Sequence, residues 1–287
     1  MSSNERPLAS WRTRPPFTTG QCAALFDRVL VNDDIDLSVD TMPVVHFDYT
    51  QDQLIECFRI CHQVWATGVD RVAFDRTIAH LFAERHLDRD EQLAFKYARA
   101  KFKQLRFAFA NADARHRYPR RFNFITAVMG HLQDDFKNNR RAAIGYRALL
   151  VRLLLTRPAY AALEHEFDGL QPTTVADFRR YVVGEMETVR SRLALSHTAG
   201  RDFHDIRKII SRQASLYVGL ATLYPSAYHD DVFAYLSVIN GLMGRYHDEL
   251  IVRRHSGLQD YATEEFAFPA EIRRRLDVLT AHYPRPD

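Results

Sequence analysis

From residue 51 onward, apolar side chains recur three and four positions apart and almost never alternate. That rhythm is the 3.6-residue period of a helix with one buried face. Leu54, Cys57, Phe58 and Cys61 share such a face, and Val72, Phe74, Ile78, Leu81 and Phe82 continue the pattern. The periodicity predicts helices over about 90–111, from Pro119 towards Thr156 with a break near 138–141, and over about 159–167, 174–195, 201–222, 227–255 and 269–282. Eleven glycines and eleven prolines in 287 residues are few, which also favours helix over an all-β fold. The expected fold class is all-α, built as helical bundles.

Punctuation divides the chain. Residues 1–50 are broken by Pro7, Pro15, Pro16 and Pro43, and Pro43-Val44-Val45-His46-Phe47 is the one β-like run. This stretch reads as an irregular N-terminal arm. Asp168-Gly169-Leu170-Gln171-Pro172-Thr173-Thr174 is a helix stop and restart, because Gly ends a helix, Pro follows it and Thr caps the next. The expected division is therefore 1–50, a first bundle half over 51–170 and a second over 171–287.

Composition sets the outer limits. The chain is 46% hydrophobic and 26% charged, as in ordinary globular proteins, and no apolar run approaches the length of a membrane span. The N-terminal residues are polar and do not form a secretory signal, so a cytoplasmic chain with reduced Cys22, Cys57 and Cys61 is expected. Net charge is only +3, since 39 Lys and Arg nearly cancel 36 Asp and Glu. A polyanion site must therefore come from placement of the charges.

Placement is where the two halves resemble each other. Phe95-Lys96-Tyr97-Ala98-Arg99-Ala100-Lys101-Phe102-Lys103-Gln104-Leu105-Arg106 is a basic amphipathic segment, and Phe203-His204-Asp205-Ile206-Arg207-Lys208-Ile209-Ile210-Ser211-Arg212 has the same rhythm. Lys96 aligns with His204 and Arg99 with Arg207, an offset of 108 residues. Downstream, Val128-Met129-Gly130-His131-Leu132-Gln133-Asp134-Asp135-Phe136 aligns with Leu242-Met243-Gly244-Arg245-Tyr246-His247-Asp248-Glu249-Leu250, an offset of 114. The same order at nearly the same spacing points to a duplication and to two pseudo-symmetric antiparallel bundles.

A His-x-x-Arg-Lys helix followed by a Gly-x-x-x-Asp-type helix, with the pair occurring twice, resembles the CHAD domain, the conserved histidine α-helical domain. The resemblance covers roughly residues 70–285 and is closest at His204-Asp205-Ile206-Arg207-Lys208, whereas Lys96 replaces the usual histidine in the first half. It implies two four-helix bundles around a basic groove that binds inorganic polyphosphate, in some members on storage granules. Ala100, Gln104, Ser211, Gln213 and Ala214 stand where further basic residues are usual.

The residues expected to contact a polyanion are Lys96, Arg99, Lys103, Arg106, His204, Arg207, Lys208 and Arg212. Arg forks and Lys ammonium groups suit phosphate oxygens, and such binding is multivalent and salt-sensitive. The other reading of these stripes is a pair of solvated outer faces. Asp134-Asp135 and Asp248-Glu249 could hold a divalent ion or pair with the stripes and neutralise them.

Other classes fit less of the chain. Asp134-Asp135 with Asn240, Gly244 and Asp248 is spaced like the magnesium motifs of class I terpene synthases, but the third acid is missing and Gly244 cannot ligate. No Glu-x-x-His pair, Cys-x-x-Cys or His-Glu-x-x-His motif supports a resident metal, and no catalytic residue, metal or cofactor is assigned. Phe95, Tyr97, Phe102, Phe107 and Phe109 superficially suit base stacking, yet at helical spacing they point to a core, so nucleic acid is not the expected partner. The reading is a non-catalytic polyanion binder. The alternatives kept are a granule-associated or protein-binding scaffold and the terpene-synthase-like enzyme.

Overall fold

Side-chain caps fix where most of the helices begin. A computed structural model describes residues 11–258, 260 and 264–286; the rest of the N-terminal arm, residues 1–10, lies outside it. Eleven α-helices are present among the described residues: α1 Thr19–Leu30, α2 Gln51–Gly68, α3 Arg71–Glu84, α4 Arg89–Ala112, α5 Arg120–Lys137, α6 Arg141–Leu154, α7 Arg157–Glu166, α8 Val175–Leu193, α9 Gly200–Leu223, α10 Ala227–His255 and α11 Ala270–His282. Thr18 with Gln21, Thr50 with Gln53 and Asp88 with Glu91 form reciprocal capping boxes at α1, α2 and α4. Thr174 accepts the Asp177 N–H at 3.1 Å and starts α8, as the Gly-Leu-Gln-Pro-Thr-Thr signal predicts.

The fold is all-α, and the helices pack as bundles. Helix α2 lies on α4, α3 on α6, and α5 on α4, α6 and α7. In the second half α9 packs on α8 and α10, and α11 on α8 and α10. The two groups meet where α9 crosses α2 and α4. One apolar core runs through both, from Leu25 to Tyr283. The C-terminal parts of α4 and α9 lie deepest, since Phe107–Ala112 and Gln213–Ala221 are entirely buried. The sole sheet among the described residues is a short antiparallel ribbon, β1 (His197–Ala199) with β2 (Glu265–Ala267).

The aromatics behave as core. Phe95, Phe102, Phe107 and Phe109 are buried. Trp65 stacks on Tyr160 at 5.3 Å, and Phe102 stacks on Phe122 at 5.0 Å. None of these rings is free to stack on a base.

The N-terminal segment differs in part from its reading as wholly irregular. Helix α1 has formed, and it packs against α2, α4 and α9 through buried Leu25 and Val29. The run Pro43–Phe47 belongs to no strand; the Val45 N–H donates to the His282 carbonyl at 2.8 Å. Arg275, at the core, donates to the Val39 carbonyl at 2.6 Å and pairs with Glu271 at 2.5 Å. Residues 37–46 thus strap the last helix.

Candidate functional site

Helices α4 and α9 pack against each other, so cations on their facing sides are brought together. On a helix each residue turns about 100°, and Arg99, Lys103 and Arg106 therefore project within a narrow arc of α4. Arg207 of α9 lies within electrostatic reach of Arg99 and Lys103, and Arg106 of both of those α4 neighbours. These four side chains form the basic cluster of the molecule.

The cluster is partly withdrawn from water. Burial, followed by repulsion from Arg207, Arg99 and Arg106, pushes Lys103 down to about 7, against a smaller opposing pull from Asp33. Burial likewise pushes Arg106 down to about 10 and lowers Arg99. Arg99, Lys103 and Arg106 make no ion pair among the described residues. Arg99 donates to Gln133 Oε1 at 3.3 Å and Arg106 to Asn123 Oδ1 at 3.1 Å, but the Nε of each is buried without a hydrogen-bond partner. The Arg106 guanidinium also lies over Phe107 and Tyr118, at 4.8 and 4.9 Å.

Two glycines shape the site. The Arg99 guanidinium lies against Gly130 of α5, where a Cβ would stand 3.0 Å from its Nη2. The Arg207 guanidinium lies against Gly244 of α10, where a Cβ would stand 2.9 Å from its Nη2. In each case the arginine and glycine occupy the corresponding positions of the two sequence motifs. One turn beyond each glycine are Asp134 and Asp248, both close enough to draw on Arg99. Burial raises the Asp134 carboxyl, and the nearby Asp248 raises it further while Arg99 opposes. The acidic residues therefore border the cluster without forming ion pairs with its α4 members.

The remaining expected contacts are placed differently. Lys96 is exposed two turns into α4. Lys208 pairs with Asp205 at 2.9 Å on the surface. Arg212 is mostly buried; it forms an ion pair with Glu185 of α8 and a hydrogen bond to the Tyr118 hydroxyl, and although burial works the other way, Glu185 holds its pKa above the usual value. The phase of the helix explains both: Lys208 is about 100° and Arg212 about 140° round α9 from Arg207, so His204, Arg207, Lys208 and Arg212 are not one stripe. His204 lies nearer the cluster and stacks on His247 at 5.0 Å. Burial, then Lys208, His247 and Arg207, push His204 down to about 3, so it is a neutral hydrogen-bonding group at ordinary pH.

The acidic pairs are divided too. Asp135 is fully buried and held by Arg140 at 2.7 Å and by Arg147, so it ties α5 to α6. Asn240 is also buried, accepting from Ser211 at 2.7 Å and donating to the Asn32 carbonyl at 2.8 Å. Two groups that a magnesium-diphosphate site would need are thus engaged in packing. The described residues contain no group of three His, Cys, Asp or Glu arranged for a metal. No described helix is long and apolar enough to cross a membrane.

Sequence reasoning missed Asp33, Tyr118 and His247. Asp33 and Tyr118 lie far from the motifs in sequence and carry no local signal, while His247 sits inside the second motif, where its alignment with Gln133 marked it. The chain matches no protein-family model, no curated protein and no solved structure.

Proposed function

We propose that the chain is a CHAD-like, non-catalytic binder of inorganic polyphosphate or a related polyanion, held by Arg99, Lys103, Arg106 and Arg207 between α4 and α9. The observation that carries this reading is the set of partly buried cations on α4, which lie near Asp33, Asp134 and Asp248 but form no ion pair with any carboxylate among the described residues. Partly desolvated like charges repel and lose hydration, which costs several kcal/mol unless counter-charge is supplied. An anionic ligand supplies it, through charge-assisted hydrogen bonds to guanidinium and ammonium groups. The matching Arg99–Gly130 and Arg207–Gly244 placements support the duplication that is part of this proposal. Four cations rather than eight grip a short stretch of a phosphate chain, with Lys96 and Lys208 on its path at the surface. The cytoplasmic setting expected from the sequence belongs to the same reading.

The test is calorimetric titration with long-chain polyphosphate at low and raised salt, with pyrophosphate and single-stranded DNA as controls. Tight, length-dependent binding that weakens with salt is expected. Arg99→Gln with Arg207→Gln should lower affinity at least about tenfold with helical content unchanged. Equal affinity in that variant refutes the assignment.

A further inference from the structure

A second feature lies on different helices and concerns a protein partner. Tyr146, Leu149 and Leu153 recur at i, i+3 and i+7 on α6 and are 70%, 44% and 57% exposed. Val72 of α3, 62% exposed, lines a groove of about 470 Å³ together with Leu149 and Leu153. Three of the twelve large hydrophobic residues exposed in the described chain therefore line this one groove, and Tyr146 continues the same stripe along α6. An amphipathic surface helix normally turns such a stripe inward. Here α6 already buries Ile144, Ala148 and Val151 on its inner side, so the outer stripe is additional.

The rim is basic. Arg71, Arg152 and Arg157 line the groove together with a single acid, Asp75. Asp75 is answered by Arg152 at 3.5 Å. Arg71 and Arg157 make no ion pair among the described residues; Arg71 lies over the Tyr160 ring at 5.6 Å. Two guanidiniums thus remain uncompensated beside an apolar floor.

We propose that the α3/α6 groove docks an acidic amphipathic helix of a partner protein. The α6 stripe spans eight residues, about 10 Å at the helical rise, which two turns of a docked helix cover with apolar residues at i, i+3, i+4 and i+7. Acidic residues flanking those anchors meet Arg71 and Arg157, and this complementarity sets orientation and partner choice. A second copy of the chain is a poorer fit, because the exposed apolar end of α10 around Val252 is flanked by Arg253 and Arg254. An anionic bilayer is poorer too, because a flat membrane surface does not fill a concave groove.

The experiment uses the full chain and a fluorescent 18-residue peptide with Leu at helical spacing and Glu on its flanks, followed by anisotropy. Versions with Lys for Glu and with Ser for Leu serve as controls. The acidic peptide should bind, and both controls should bind at least about tenfold more weakly. Leu149→Ser with Leu153→Ser should abolish binding while circular dichroism stays unchanged, since both side chains are already solvent-exposed. Arg71→Glu with Arg157→Glu should reverse the preference towards the Lys peptide. No binding of the acidic peptide, equal binding by the Leu149/Leu153 variant, or no change of charge preference overturns the proposal. So does capture of the surface by vesicles of anionic phospholipid or by self-association in sedimentation, when the peptide does not compete.

Discussion

Removing the charge of Lys103 should stabilise the protein while weakening its grip on anions. Lys103→Met keeps the length and apolar stem of the side chain and deletes only the ammonium group. A fall from the ordinary lysine value of 10.5 to about 7 corresponds to a ceiling of roughly 5 kcal/mol for holding that proton in the folded state. Partial access to water and side-chain relaxation reduce this, so a gain of about 1–3 kcal/mol is expected. The sign follows from proton counting. Below pH 7 both folded and unfolded states carry the proton, and the wild type bears the whole penalty. Between pH 7 and 10.5 the unfolded chain keeps the proton and the folded chain sheds it, so wild-type stability rises with pH. Denaturant unfolding of both proteins at pH 6, 8 and 10 reads the difference directly. The variant should lead clearly at pH 6, and the two should converge towards pH 10. Polyphosphate should reverse the order, because the bound anion draws a proton back onto Lys103, and wild-type affinity should fall as pH rises above 7. A variant that is less stable at pH 6, or a difference that ignores pH, would show that Lys103 is already neutralised and would remove the reasoning.

Other substitutions separate binding from folding. Gly130→Ala and Gly244→Ala push against the flexible ends of Arg99 and Arg207, so polyphosphate affinity should drop several-fold while thermal stability holds or rises by up to about 1 kcal/mol, the helix preference of Ala over Gly. Gly241→Ala is different: its Cβ would overlap the Asp33 carbonyl oxygen and stand 2.7 Å from Ile35 Cγ1, so a marked loss of stability in a thermal melt is expected. Glu185→Gln leaves Arg212 mostly buried without its partner, and a loss of about 3–5 kcal/mol should be seen in denaturant unfolding.

The helices were legible because their apolar period and their caps agree. The periodicity put a helix at about 90–111 and one at 227–255, and the structure has Arg89–Ala112 and Ala227–His255. Helix α1 was hidden because only Leu25 and Val29 are buried in its twelve residues, a stripe too thin to stand out among flanking prolines. On α4 the helical phase groups Arg99, Lys103 and Arg106, and the first two lie within electrostatic reach of Arg207. On α9 the run Arg207-Lys208 looked like one unit, yet adjacent residues on a helix point about 100° apart, and only Arg207 faces α4. Groups distant in sequence, such as Glu185 paired with Arg212 or Asp33 near Lys103, had no local signature at all. They became visible only once the helices were packed.

The strap over α11 has a kinetic meaning. The bond from Arg275 to the Val39 carbonyl joins residues 236 positions apart, and the Val45–His282 bond closes a loop of similar length. During synthesis residues 37–46 leave the ribosome more than 220 residues before α11 and must wait for it before they can seat. Such long-range closure slows folding and prolongs the time in which Met42 and Val45, buried in the finished protein, are exposed to solvent. Removal of α11 would therefore leave the strap of residues 37–46 without its dock, and strap and helix should be gained or lost in a single late step.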